Sequence, residues 1–452
     1  MAKVIKLRKG LDINLKGTAS KAVALLVAPA EEYALVPAAF EGVTPKVVVH
    51  EGDHVEAGNA LFVNKACPDV KFASPVSGIV TAVERGERRK VLCVKVKADV
   101  VQTSTDFGRK DVDALDGEAV KTALLEAGLF GYINQLPYAV STTPDTKPKA
   151  IFVSTLRDMP LAADFLVELA GNEAAFQAGL TALSKMGKTY LGVGVDQHCA
   201  ALEEVRNVEL VVVDGPCPAG NVGVQVNHID PVNKGEVVWT VAPMAVIFFG
   251  RLMLTGRVDL RRTIAVAGSE IKQPGYVKDV LVGTPLSSIL ADKLKAIEHV
   301  RVIEGNPLTG RKTTLDAYLG AHTSELTAIP EGDDRDEMLG WILPRTDQFS
   351  TSRSYFSWLF GHKKQYDLDA RIKGGERHMI MSGEYDRVLP MDIYGEYLIK
   401  AIIAGDIDKQ EQLGIYEVSP EDFAVAEFVD SSKLELQKIV REGLNILRKE
   451  NA

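Results

Sequence analysis

The chain has 452 residues, enough for about three or four domains that each bury their own core. A hydrophobic content of 46% and a charged content of 25% are those of an ordinary globular protein. The net charge of −9 argues against a nucleic-acid backbone as partner, because such binding relies on clustered cations.

The first hundred residues alternate Val, Ile and Phe between Gly-Asp, Ala-Gly and Ser-Pro turns, as in VVVHEGDHVEAGNALF (47–62) and FASPVSGIVTAV (72–83). That spacing predicts a small barrel of hairpins over residues 1–104. It resembles the biotinyl/lipoyl domain, a barrel-sandwich hybrid whose carriers hold a modified lysine at a hairpin apex. The apex is expected near Cys67, Pro68 and Asp69, with Lys65 and Lys71 to either side of it and no Met-Lys-Met or Asp-Lys-Ala setting. A barrel without a carrier lysine is therefore expected.

Residues 105–258 change period. A helix over 117–127 leads into the loop GLFGYINQLPY and a polar segment, STTPDTKP. Strand candidates at 150–155, 189–195 and 208–213 then alternate with helices at 159–169, 173–185 and 198–205, which implies a parallel sheet with crossover helices. Gly215 to Gly223 (GPCPAGNVG) opens at the carboxyl end of the last strand, the edge where open α/β sheets bind ligands. The most apolar stretch, 237–254, is interrupted by Pro243 and is shorter than the about 20 residues needed to cross a bilayer. A buried strand followed by a helix is expected there.

Short strands and turns return over 259–330, with one helix at 285–295. From 331 the chain turns polar and then helical, with helices at 392–404, 420–428 and 432–449 and a stop at Gly405. Cys67, Cys93, Cys199 and Cys217 form no C-x-x-C pair and no metal-ligand spacing, so reduced thiols and no metal site are expected. The basic opening is followed by an apolar run too short for a secretory signal.

No catalytic constellation of Ser/His/Asp or Cys/His type emerges. The aromatic loop holding Phe130, Tyr132, Asn134, Gln135 and Tyr138 suits a quinone head, which takes apolar walls and a few hydrogen-bond donors, or equally a loop tucked against its own core. Tyr33 and Phe40, in YALVPAAF, form a second apolar candidate whose competing reading is packing in the hairpin core. Gly215, Gly220, Asn221 and His228, with Asn227 and Asp230, form a possible ligand loop at the sheet edge, or equally a set of tight turns.

Five separated segments agree on a family: RGERR (85–89), GPCPAGNVGVQVNHIDPVNKGEVVW (215–239), EGNPLTGR (304–311), EGDDRDEMLGWILP (331–344) and GEYDRVLPMDI (383–393). Together they resemble the A subunits of sodium-translocating NADH:quinone oxidoreductases, called Nqr. More distantly the chain looks like two other proteins, the C subunit of the Rnf complex and the flavoprotein subunit of respiratory complex I. The resemblance implies an α/β multidomain protein: the barrel-sandwich hybrid, a Rossmann-like domain, a β-grasp module of the soluble-ligand-binding type and a helical C-terminus. It further implies a peripheral subunit on the cytoplasmic face of a bacterial inner membrane, in a complex that oxidises NADH, reduces ubiquinone and exports sodium. Flavins and the iron–sulfur centre would then lie in partner subunits, with no cofactor tightly bound here.

The chain departs from its distant relatives where their chemistry sits. Phe130 and Tyr132 stand beside Gly131, in a loop that in those relatives is dense in glycine. No cysteine follows Cys217, so an iron–sulfur cluster bound by C-terminal cysteines is excluded. The competing readings are a biotin or lipoyl carrier, a scaffold without ligand and an Rnf-like electron-transfer subunit.

Overall fold

The computed structural model describes residues 3–335, 342–351, 353, 355–361 and 364–451; residues 336–341 of the EGDDRDEMLGWILP motif lie outside these. A seven-stranded sheet organises the middle of the chain. Ile151–Ser154, Thr189–Gly194 and Glu209–Asp214 lie side by side and parallel, and Val238–Val241 adds in parallel on the opposite side of Ile151–Ser154. The direction of winding therefore reverses between Ile151–Ser154 and Val238–Val241, and such a reversal leaves a crevice at the strands' carboxyl ends. Beyond Val238–Val241 the sheet continues antiparallel with Ile133–Leu136 and then Val140–Ser141.

The apolar stretch divides as its pattern predicts. Val238–Val241 is a fully buried strand, and helix Pro243–Thr255 starts with proline at its first turn, where a missing N–H costs nothing. Gly256, at φ 73°, ends the helix in the left-handed region. This helix packs on Glu173–Met186 through glycine: a Cβ on Gly250 would sit 1.7 Å from the Ala175 carbonyl oxygen. Close backbone approach, more than side-chain fit, sets that crossing.

Some expectations fail locally. Lys3–Lys6, read as part of the barrel, is instead an edge strand of the central sheet, parallel to Glu209–Asp214. Only Ile5 of its four residues is buried, and one apolar residue does not reveal which sheet covers it. The helix expected over 159–169 shortens to Phe165–Leu169, because Leu161 takes a left-handed φ of 63° and the Asp164 side chain caps the Leu166 N–H.

The barrel has two small sheets, one of Glu32–Leu35, Val91–Ala98, Gly78–Arg85 and His54–Val55, the other of Pro45–Val47, Ala60–Asn64 and Cys67–Ala73. Phe62 and Phe72 stack in its core, with ring centroids 4.7 Å apart, and Phe40 lies 4.4 Å from Phe72. The hairpin apex is not where Cys67, Pro68 and Asp69 suggested. Asn64 pairs with Cys67 and Val63 with Lys71, so the turn is Lys65-Ala66 and the extra residues around Pro68 form a bulge in the returning strand. Proline cannot donate to a ladder, which suits it to a bulge as well as to a turn. A lysine does stand at the apex, exposed, with its backbone N–H bound to the Thr44 carbonyl at 2.7 Å.

A six-stranded mixed sheet follows. Arg261–Ala267 and Gly275–Leu281 form a hairpin, helix Leu286–Leu290 crosses, and Glu325–Pro330 returns parallel to Arg261–Ala267. The C-terminal helices Gly395–Ala404, Ala424–Val429 and Leu436–Glu450 enclose a separate apolar cluster that includes Leu398, Phe423, Val440 and Leu444. Gly405 ends the first of these at φ 70°. Among the described residues no helix is long and apolar enough to cross a membrane.

Candidate functional site

A cleft of about 1110 Å³ opens at the winding reversal, between the central sheet, the mixed sheet and the C-terminal helices. Ser154, Leu156 and Asp158 line it from one strand end, and Thr240 and Ala242 from the other. Gly220 and Asn221 come from the glycine-rich loop, Asn306 and His322 from the mixed-sheet module, and Glu421 and Arg441 from the C-terminal helices.

His322, in the cleft wall, belongs to a buried aromatic cluster whose other members lie behind that wall. Phe40 and Tyr132, from the two separate candidate loops, meet edge to face at 5.2 Å. His322 lies 5.4 Å from the Tyr132 ring and 5.5 Å from Phe40, and Phe248 closes the far side of Tyr132 at 5.7 Å. Three polar atoms are buried here without a hydrogen-bond partner among the described residues: Tyr132 Oη, His322 Nε2 and Arg262 Nε. Buried donors are nearly always satisfied, and leaving one unpaired costs about 1–3 kcal/mol. Burial pushes the Tyr132 hydroxyl well above its ordinary pKa, so it stays a donor. Burial, reinforced by the Arg262 guanidinium, lowers His322 to about 4, so its ring stays neutral. Arg262 itself is held by the Ala321 carbonyl at 2.9 Å and by Ser324 Oγ at 3.2 Å.

The other residues of the aromatic loop scatter. Asn134 lines the cleft. Gln135 faces the other side of its strand and accepts from Thr142, in a chain that continues through Thr146 to the Trp239 indole. Phe130 packs edge to face on Trp239 at 5.7 Å. Tyr138 turns to the C-terminal helices, its carbonyl accepting from Arg441 and its hydroxyl from Asn451. Tyr33 lies in the barrel core, where its hydroxyl accepts from the Ala30 N–H. The glycine of this loop is needed for packing: a Cβ on Gly131 would strike the Phe72 ring at 2.3 Å.

The glycine-rich loop is occupied by the chain itself. Asn221 starts helix Val222–Ile229, and its amide donates to the Glu421 carbonyl and to Asp422 Oδ1. Asp422 Oδ2 lies where a side chain on Gly223 would be, 2.4 Å from the ideal Cβ. The same oxygen accepts the Ser419 N–H and hydroxyl, both at 2.8 Å, in a capping box. Asp158 Oδ2 accepts the Gly220 N–H at 2.8 Å, while Asp158 Oδ1 is buried without a partner among the described residues. Burial raises Asp158 to about 6, and raises both Glu421 and Asp422. Carboxylates thus stand where an anionic ligand would take these donors. Gly215 abuts Leu7 and serves only close packing. His228 sits in the last turn of the helix, giving its Nδ1 proton to the Val224 carbonyl, while Asn227 binds Glu417 and Asp230 pairs with Lys149.

Sequence reasoning missed His322, Arg262, Asp158 and Asp422. Only Asp422 carried a local signal, the Ser-x-x-Asp capping box at Ser419. The others matter through positions that the tertiary fold assigns.

The chain is thus an α/β multidomain protein, a barrel joined to a mostly parallel sheet and a mixed-sheet module around one cleft. Family models match in three blocks: the NqrA N-terminal barrel-sandwich hybrid domain over residues 5–99, the NqrA second alpha/beta domain over 115–258, and the NQRA C-terminal domain over 263–314. The chain is 34% identical to the A subunit of the Na(+)-translocating NADH-quinone reductase of Saccharophagus degradans, over 99% of this chain and 100% of that one. The counterpart from Yersinia pestis bv. Antiqua is 33% identical and that from Neisseria meningitidis serogroup B 34%, at the same coverage. The chain belongs to the NqrA family, the A subunits of Na(+)-translocating NADH-quinone reductases, and so to an oxidoreductase complex. A solved NAD+-reducing [NiFe]-hydrogenase in the air-oxidized state matches 77% of this chain and 72% of that chain at 11% identity and a TM-score of 0.34, too loose a likeness to carry an argument.

Proposed function

We propose that this chain is the peripheral subunit that presents a quinone-binding site to a sodium-exporting, NADH-oxidising membrane complex on the cytoplasmic face. Flavins and the iron–sulfur centre belong to its partner subunits. The carrying observation is the set of unpaired polar atoms gathered behind the cleft wall at His322: Tyr132 Oη, His322 Nε2 and Arg262 Nε, beside Phe40 and Phe248. A quinone ring has two carbonyl acceptors and two apolar faces. The rings supply the walls, a protonated tyrosine supplies a donor, and a neutral imidazole donates from Nε2 in the tautomer that carries its proton there. Asn134, in the cleft wall, suits the ring substituents or the start of the tail.

The reversed winding order of the central sheet supports a Rossmann-like reading, and the hairpin–helix–parallel-strand order of the mixed sheet supports a β-grasp reading. In this proposal the Rossmann-like edge no longer holds a dinucleotide, since Asp422 and Asp158 take the donors that phosphates would use. Lys65 at the hairpin apex weakens the argument against a carrier. Its Asn64-Lys65-Ala66 setting still differs from carrier motifs, and an unmodified intact mass of 49.0 kDa is expected.

The test is a calorimetric titration of the full chain with a short-chain ubiquinone, alongside Tyr132→Phe and His322→Leu. Saturable binding that weakens in both variants supports the proposal. Binding that neither substitution alters, or none in the chain and none lost in the assembled complex, sinks it.

A further inference from the structure

Outside the cleft the most unusual surface is the turn Phe356–Phe360 (FSWLF). Phe356, Trp358, Leu359 and Phe360 are 56, 46, 63 and 60% exposed, while the small Ser357 points inward. The Phe356 N–H binds the Pro344 carbonyl at 3.2 Å, which brings exposed Ile342 and Leu343 to the same patch. A water-facing surface rarely gathers so many large apolar side chains without a partner.

The patch stands on a fixed base. Phe349 packs edge to face on Tyr366 at 5.2 Å and on Phe428 at 5.5 Å. The Tyr366 backbone is tied to Asn14 and Lys16 at 2.8 and 2.9 Å. Lys364 lies over both the Phe360 and the Tyr366 rings, at 4.5 and 5.4 Å, and so links the turn to that base.

Its flanks are cationic although the whole chain carries −9. Arg353 lies 5.4 Å from the Trp358 ring centroid, Lys364 4.5 Å from Phe360, and Arg345 5.6 Å from Tyr355. The centre of a protein–protein interface is depleted of charge. Here cations rest on the rings that would be covered. That arrangement suits a bilayer surface, where rings sink to the acyl boundary and Arg and Lys reach back to phosphates. Tryptophan favours the same depth.

We propose that the Phe356–Phe360 turn inserts into the headgroup layer of an anionic bilayer, with Arg345, Arg353 and Lys364 on lipid phosphates. This attachment is independent of the quinone reading, which is tested without lipid.

The experiment is co-sedimentation of the full chain with vesicles of phosphatidylcholine alone and of phosphatidylcholine with phosphatidylglycerol. Binding at least about tenfold tighter to the anionic vesicles is expected, weakening with salt. A variant carrying Phe356→Ser, Trp358→Ser, Leu359→Ser and Phe360→Ser should lose it while keeping the thermal midpoint, since the replaced side chains are exposed. Trp358 emission should shift to the blue on binding, and Trp358→Phe should bind without that shift. No binding to anionic vesicles, or binding unchanged in the four-fold variant, overturns the proposal. So does a variant that still binds vesicles but no longer captures a detergent-solubilised membrane protein, which would make the turn a protein-docking surface.

Discussion

Two buried polar regions adjoin the cleft and treat their hydrogen bonds in opposite ways. At the glycine-rich loop, Asn221, Gly220 and Ser419 have spent their donors on the chain's own carboxylates, Asp158 and Asp422. At the aromatic end, Tyr132, His322 and Arg262 keep buried atoms unspent. The first arrangement leaves no donor there for a ligand, and in the proposed function the second keeps donors for the quinone. A region whose donors are paired internally adds to stability. One whose donors are left unpaired lowers stability, and a ligand that pairs them would restore it.

The largest effect should come from breaking the closed region. Asp422→Ala strands the Ser419 N–H and hydroxyl and one proton of the Asn221 amide, at a cost of about 2–4 kcal/mol. Thermal unfolding should register the loss while ubiquinone titration stays unchanged; an altered quinone affinity would join the two regions and erase the contrast.

Next in size is acid sensitivity from the open region. His322 is lowered to about 4 from 6.5, so between those values the unfolded chain takes a proton that the folded chain refuses. Its contribution is intact above pH 6.5 and is lost as pH falls to 4, by up to about 3 kcal/mol. His322→Gln should flatten that part of the stability profile.

Asp158 has the opposite sign. Raised from 3.8 to about 6, it favours the folded state below pH 3.8, and that benefit disappears as pH rises through 6. Asp158→Asn should therefore stabilise the protein at pH 7.5 by about 1–2 kcal/mol, with the gain fading toward pH 4. Chemical denaturation at both pH values measures it.

The smallest effect is on affinity. Tyr132→Phe removes an orphaned hydroxyl, so stability should hold or rise slightly, while ubiquinone affinity falls about tenfold, or about 1.4 kcal/mol. Equal losses in stability and affinity would mark the hydroxyl as structural.

Much of the fold was readable because periodicity is local. The break at Pro243 separates a strand from a helix in the sequence and in the structure. The parallel strands at 151–154, 189–194 and 209–214 fall within a residue of their expected positions. What was not readable depends on partners distant in the chain. Nothing near Lys3 names Val211 as its neighbour, and nothing near Pro68 distinguishes a bulge from a turn. In the site, Phe40 and Tyr132 stood out as aromatic residues in apolar loops. Their meeting with His322 required three modules to close on one another. Gln135 and Tyr138 were chosen for donor chemistry, but strand alternation and the turn after Pro137 send them elsewhere.

The edge strand Lys3–Lys6 is made early and placed late. During synthesis it emerges ahead of the barrel, yet the ladder it completes does not exist until Val211 to Asp214 have been made, and the whole barrel has already left the ribosome by then. Once in place it acts as a clasp, tying the start of the barrel module to the far margin of the next domain.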